Sequence, residues 1–169
     1  MNEIMILEGK GSVPATRETF SEDYTVSKCN DLYKNIRSVK EAQQTGSPSI
    51  SNLVKAFDMD FVQAYIAAWI VNVNNFLNLR FSMNDQQVEE TARLVINNYY
   101  HLTIADVYLV MNNAKMGFYG KFYERIDGSM VLLWFRTYFD ERCAYFEGLS
   151  IDESNVLRSN ISFNVKNRK

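Results

Sequence analysis

The chain is poor in residues that break or crosslink a polypeptide. Of its 169 residues only two are proline, Pro14 and Pro48, and seven are glycine. Beyond Pro48 there is no proline, and the glycines are Gly117, Gly120, Gly128 and Gly148. A long proline-free stretch with glycine only at its joints favours helix over sheet. Histidine occurs once, at His101, and cysteine twice, at Cys29 and Cys143. One histidine without a nucleophile or carboxylate at a recognisable spacing gives no catalytic set, and His101 reads as a helix-junction residue. The cysteines match no metal spacing and read as reduced thiols. A basic excess is also missing: 18 Lys and Arg against 20 Asp and Glu leave a net charge of −2. A dedicated duplex-binding domain carries a clear basic excess or stripe, so nucleic acid would be bound only locally or with a partner. Finally, no apolar run is long enough to span a bilayer. The stretch from Phe61 to Leu79 is interrupted by Asn72, Asn74, Asn75 and Asn78, as in a buried helix of a soluble protein. The N-terminus lacks the basic and apolar regions of a signal peptide, so the expected location is cytoplasmic.

What is present is aromatic side chains, 14% of the chain, and apolar residues at helical spacing. Ser49 or Ser51 can cap a helix that carries Leu53, Val54 and Phe57. Met59 to Leu79 is the most apolar segment and reads as the central helix. Asn84 with Gln87, and Thr103 with Asp106, each have the form of a capping box. Lys115 suits the last turn of the second of these helices, and Gly117 its C′ position. Asp127 caps the next helix, which carries Val131, Trp134, Phe135, Tyr138, Phe139 and Arg142 and ends at Gly148. Upstream, residues 25–43 suggest one polar helix with Leu32, Tyr33, Ile36 and Val39 on its apolar edge. Gln43 to Ser49 reads as a linker.

The fold expected is all-α: a compact orthogonal bundle of about five helices with flexible extensions at both ends. Residues 1–48 form the partly helical N-terminal extension, 49–147 the core, and 148–169 a polar, basic tail. A minor α+β alternative pairs a short strand at Ile4–Leu7 with the alternating segment Ile161–Val165.

The densest signal lies between the glycines. Lys115, Lys121 and Arg125 alternate with Phe118, Tyr119, Phe122 and Tyr123. Cations interleaved with flat rings suit single-stranded nucleic acid, where rings stack on bases and cations meet phosphates. They suit a protein interface equally well. The candidate interface is therefore Lys115, Phe118, Tyr119, Lys121, Tyr123 and Arg125. Gly117, Gly120, Asp127, Gly128, Trp134 and Arg142 are the residues that shape it. The Gly117-Phe-Tyr-Gly120 joint lacks both the flanking strands and the internal basic residues of an RNA-clamping glycine loop. It is not a phosphate loop either. The carboxylates Asp106, Asp127, Asp140 and Glu141 have no histidine at metal spacing and read as solvent-facing helix charge. No catalytic, metal or cofactor residue is assigned.

The pattern Leu102-x-Ile104-x-Asp106, then Ala114-Lys115-x-Gly117-x-Tyr119-Gly120-Lys121-x-Tyr123-x-Arg125-Ile126-Asp127-Gly128, then Trp134, Tyr138, Glu141 and Arg142 resembles a family of uncharacterised small proteins. They are encoded by anaerobic gut bacteria and by their phages and mobile elements. The resemblance extends upstream through Met83, Gln87, Thr91, Tyr99 and Tyr100. It implies a mobile-element setting and brings no biochemistry with it. The functional expectation is a non-enzymatic accessory protein, similar in layout to phage helicase loaders. It would contact a host or phage protein, with a replicative helicase as one candidate, and/or single-stranded DNA. The alternative is a small inhibitor or regulator that binds a host protein without nucleic acid.

Overall fold

The computed structural model describes residues 13–120 and 124–166, with side chains up to residue 156. Among these residues the chain forms eight α-helices and no strand. They are α1 (Arg17–Asp23), α2 (Val26–Leu32), α3 (Val39–Gln44), α4 (Ile50–Ala56), α5 (Met59–Leu77), α6 (Asp85–Tyr99), α7 (Ile104–Lys115) and α8 (Gly128–Lys166). The all-α reading holds. The larger helix number comes from short N-terminal helices that periodicity cannot resolve.

With so few prolines and glycines, the helix starts are set by side-chain caps. Thr16, Thr25, Ser38, Ser49, Asp58, Asn84 and Thr103 each accept the backbone N–H three residues on. This satisfies one of the donors that a helix start leaves open. Both expected capping boxes form in full. Asp127 accepts the N–H of Met130 at 3.2 Å and starts α8.

The centre of the fold is α7, not α5. Nine of the twelve α7 residues are buried, including the unbroken run from Ile104 to Met111. α5 buries one face, through Val62, Ile66, Trp69, Ile70 and Val73, and packs on α6, α7, α4 and α2. The asparagines that interrupt α5 have specific uses. Asn74 is buried and brackets Met83, donating to its carbonyl at 3.0 Å and accepting from its N–H at 3.1 Å. Asn78 ends the helix in the left-handed region, at φ 45°. No described helix is long and apolar enough to cross a membrane.

The proposed boundary at Pro48 is not a break in packing. Phe20, Cys29, Tyr33, Ile36, Val39 and Ala42 belong to the same core as Val62 and Trp69. The segment read as a linker is stitched to the α6–α7 joint. Ser47 is buried; its Oγ accepts from the Ala105 N–H at 3.2 Å and shares a hydrogen bond with the Tyr33 hydroxyl at 3.0 Å. The Pro48 carbonyl accepts from Ile104 at 3.0 Å, and the Ile50 N–H donates to Leu102 at 2.8 Å. The single helix expected over 25–43 is broken between Tyr33 and Ser38 into α2 and α3, and Leu32 is exposed.

The C-terminal end departs most from expectation. Gly148 does not end α8, which continues to Lys166. One exposed glycine costs a helix only about 1 kcal/mol, too little to terminate it alone. Residues 161–165 have helical backbone, so the alternation read as a strand signal does not form one. Ile4–Leu7 lies outside the described residues.

Candidate macromolecular interface

The aromatic and basic joint lies at one end of the bundle, where α5 and α7 finish and α6 and α8 begin. α7 closes in a Schellman motif: the Gly117 N–H donates to Ala114 at 3.0 Å and the Phe118 N–H to Asn113 at 2.9 Å. This needs a left-handed residue at C′, and Gly117 supplies it at φ 75°. Gly120, at φ 113°, then turns the chain again. Lys121 and Tyr123, with Phe122 between them, lie outside the described residues.

The remaining predicted interface residues divide. Phe118 is 66% exposed. Tyr119 turns inward and stacks on the buried Trp134, with ring centroids 6.2 Å apart and planes 13° from parallel. Its hydroxyl is buried, and burial raises its pKa. Tyr119 is thus a packing residue, contrary to the expectation that it faces a partner. Lys115 is not a free cation. Its Nζ donates to Asn72 Oδ1 and lies 5.4 Å from the centre of the Phe76 ring, and partial burial lowers its pKa. Arg125 is well exposed and pairs with Asp127 at 2.9 Å. Asp127 also accepts from the Ser129 hydroxyl at 2.6 Å, the main reason its carboxyl titrates below the usual range.

Sequence reasoning missed the rest of this surface because it comes from distant segments. Phe76, at the end of α5, is 61% exposed beside Lys115, and Met116 is 62% exposed. Phe81 is 55% exposed, with the Arg80 guanidinium 5.3 Å from its ring centre. Two backbone bonds fix Phe81 beside Arg125: Phe81 N–H to Glu124 at 2.9 Å and Ile126 N–H to Phe81 at 3.0 Å. The end of the bundle thus presents Phe76, Phe81, Met116 and Phe118, accompanied by Arg80, Lys115 and Arg125.

A second constellation, at the opposite end of α7, is buried. Asp106 is fully inaccessible, which corrects its reading as solvent-facing charge. Its carboxylate accepts from the Thr103 N–H at 2.9 Å and hydroxyl at 3.0 Å, from Gln43 Nε2 at 3.3 Å, and from the Tyr138 hydroxyl. Arg142 Nε lies 3.4 Å away as the counter-charge. One capping carboxylate therefore joins α7 to α3 and α8. Burial, reinforced by this negative charge, raises the Tyr138 pKa. His101 lies against Phe139, ring centres 4.7 Å apart, and burial and then the Arg142 charge lower its pKa. The Asp106 carboxylate is well supplied with donors, while Arg142 Nε and His101 Nε2 are buried without a hydrogen-bond partner, and the network reads as structure. Among the described residues, no three His, Cys, Asp or Glu side chains are grouped to hold a metal ion.

Comparison with family models, with curated proteins and with solved structures gave no match.

Proposed function

We propose that this chain is a non-enzymatic accessory protein of a phage or mobile element that grips a partner protein through the end of the bundle formed by α5, α7 and the loop before α8. The observation that carries this reading is the exposure of Phe76, Phe81, Met116 and Phe118, at 61, 55, 62 and 66%, on one end of the molecule. Large apolar side chains gathered at one place and rimmed by cations have the composition of a binding hot spot. The mobile-element setting comes from the sequence resemblance. An adaptor resembling a helicase loader is the form proposed, with a replicative helicase as the partner to test first.

One observation favours protein over single-stranded DNA as the main contact. Lys115, the first cation of the motif, is held by Asn72 and Phe76 and is partly desolvated, so it is poorly placed to meet a phosphate. The alternative, a regulator of a host protein that never touches nucleic acid, uses the same surface. The test is a pull-down of the full chain with the replicative helicase of its host, beside a salt titration on single-stranded DNA. The adaptor reading expects helicase capture that is lost in Phe76→Ala/Phe118→Ala. No capture, with no DNA binding at low salt, would remove it.

A further inference from the structure

The charges that touch the rings of the exposed end are all positive. The Arg80 guanidinium lies 5.3 Å from the centre of the Phe81 ring, and the Lys115 ammonium 5.4 Å from that of Phe76. Each cation therefore shares a face with the apolar side chain it accompanies. Arg125 is tied to Phe81 by the two backbone bonds described above, and its side chain is 73% exposed. Among the described residues no carboxylate forms an ion pair with Arg80 or Lys115. Arg125 does pair, with Asp127, but that partner is replaceable. Asp127 keeps the Ser129 hydroxyl and the Met130 N–H if Arg125 turns away, and an exposed pair contributes little. Glu124 is exposed in the same loop, so the end is not uniformly basic. The cations that lie on rings are the ones without a counter-charge.

The sign of these charges selects the partner. The chain as a whole carries −2, so a segment bearing carboxylates is drawn to this end and not to the molecule at large. The rings favour protein over nucleic acid. Bases stack on free ring faces, and here one face of Phe76 and one of Phe81 already carries a cation. Met116 has no flat face for a base, but its flexible side chain fits varied apolar partners. We propose that the segment docking here is an acidic, apolar peptide of the partner, with carboxylates set among large apolar side chains. The apolar side chains meet Phe76, Phe81, Met116 and Phe118, and the carboxylates meet Arg80 and Arg125. Lys115, held by Asn72, adds charge without direct contact. This inference rests on the reading of that end as a partner-binding surface and adds the chemistry of what it binds.

Selection of a randomised peptide library, displayed on phage, against the full chain tests this. Peptides that bind the chain and not Phe76→Ala/Phe118→Ala should be enriched in Asp and Glu together with Leu, Phe or Trp. A synthetic copy of the best of them should bind Arg80→Glu/Arg125→Glu about tenfold more weakly, since two exposed charge contacts are reversed. Its binding should also weaken as salt is raised. Arg125 lies beside the cap of α8, so Arg80→Glu alone covers the case in which the double variant misfolds. It should lose affinity for the acidic peptide and gain it for a copy whose carboxylates are exchanged for lysine. Misfolding cannot produce that change of sign.

The outcomes separate this inference from the reading beneath it. Uncharged or basic peptides that still depend on Phe76 and Phe118 would overturn the acidic partner and leave the surface standing. Failure to select any peptide that distinguishes the chain from Phe76→Ala/Phe118→Ala would remove the surface as well. Oligothymidylate that displaces the peptide, and itself needs Phe76 and Phe118 to bind, would make single-stranded nucleic acid the occupant and overturn the proposal.

Discussion

Gly128 opens α8 directly against Thr91 of α6, so closely that a methyl group on its α-carbon would run into the threonine hydroxyl. That hydroxyl is held in place by donating to the Gln87 carbonyl at 2.6 Å. The α6–α8 contact is thus set by the absence of a side chain at Gly128, and the glycine is required for space. Gly128→Ala should lower stability by about 1–3 kcal/mol, the usual cost of overpacking. Thr91→Ala removes the obstructing oxygen. The double variant should be more stable than the sum of the singles predicts, measured as a coupling in urea unfolding.

Asp106 gives the largest single effect on stability. Asp106→Asn keeps its shape but leaves Arg142, whose side chain is only 15% exposed, without its counter-charge. The expected loss is about 3 kcal/mol, the lower end for breaking a buried pair, because Arg142 keeps some water. Tyr138→Phe removes one charge-assisted donor and should cost about 2 kcal/mol. Both are read from chemical denaturation. A loss within experimental error in Asp106→Asn would show that the network is not what fastens α3 and α8 to α7.

His101 sets the pH dependence near neutrality. Its pKa is lowered in the folded protein, below the ordinary 6.5, by burial and by Arg142, while Asp106 opposes the shift. The unfolded chain therefore takes up the proton first. The stability contributed by neutral His101 is complete above about pH 6.5 and declines as pH falls from there towards the folded value. His101→Gln should flatten this part of the stability profile. Below about pH 4 the lowered carboxyl of Asp127 adds a separate loss, which His101→Gln should leave unchanged.

Phe118 and Tyr119 are neighbours with opposite roles. Phe118→Ala should change stability by less than about 0.5 kcal/mol, as exposed substitutions do, and should weaken partner capture. Tyr119→Ala should cost about 2 kcal/mol or more by emptying its place on Trp134, measured by thermal unfolding. Equal effects of both on stability would contradict the division of the joint into an outward and an inward ring.

The helix starts were legible in the sequence because a cap is a local event. Asn84 with Gln87 and Thr103 with Asp106 report their own geometry within four residues. Gly117 was legible for the same reason, since only its own φ is at stake. Asp106 could be read as a cap but not as buried, because its burial depends on Gln43, Tyr138 and Arg142 arriving from elsewhere in the chain. The exposed end was half legible for a similar reason. Phe118 belongs to the motif, whereas Phe76 and Phe81 reach it only through the packing of α5. Gly148 and the stretch from Gln43 to Ser49 misled because composition reports propensity, and tertiary hydrogen bonds and helix continuity outweigh it.

The stitching of Ser47, Pro48 and Ile50 to the α6–α7 joint also determines how the chain can be divided. A cut in that loop would not release an autonomous head from an autonomous body. It would yield two mutually dependent pieces, the shorter one supplying Tyr33 and Val39 as the missing wall of the other. Such halves are suited to reconstitution on mixing, in the manner of a split reporter, and neither should persist folded alone.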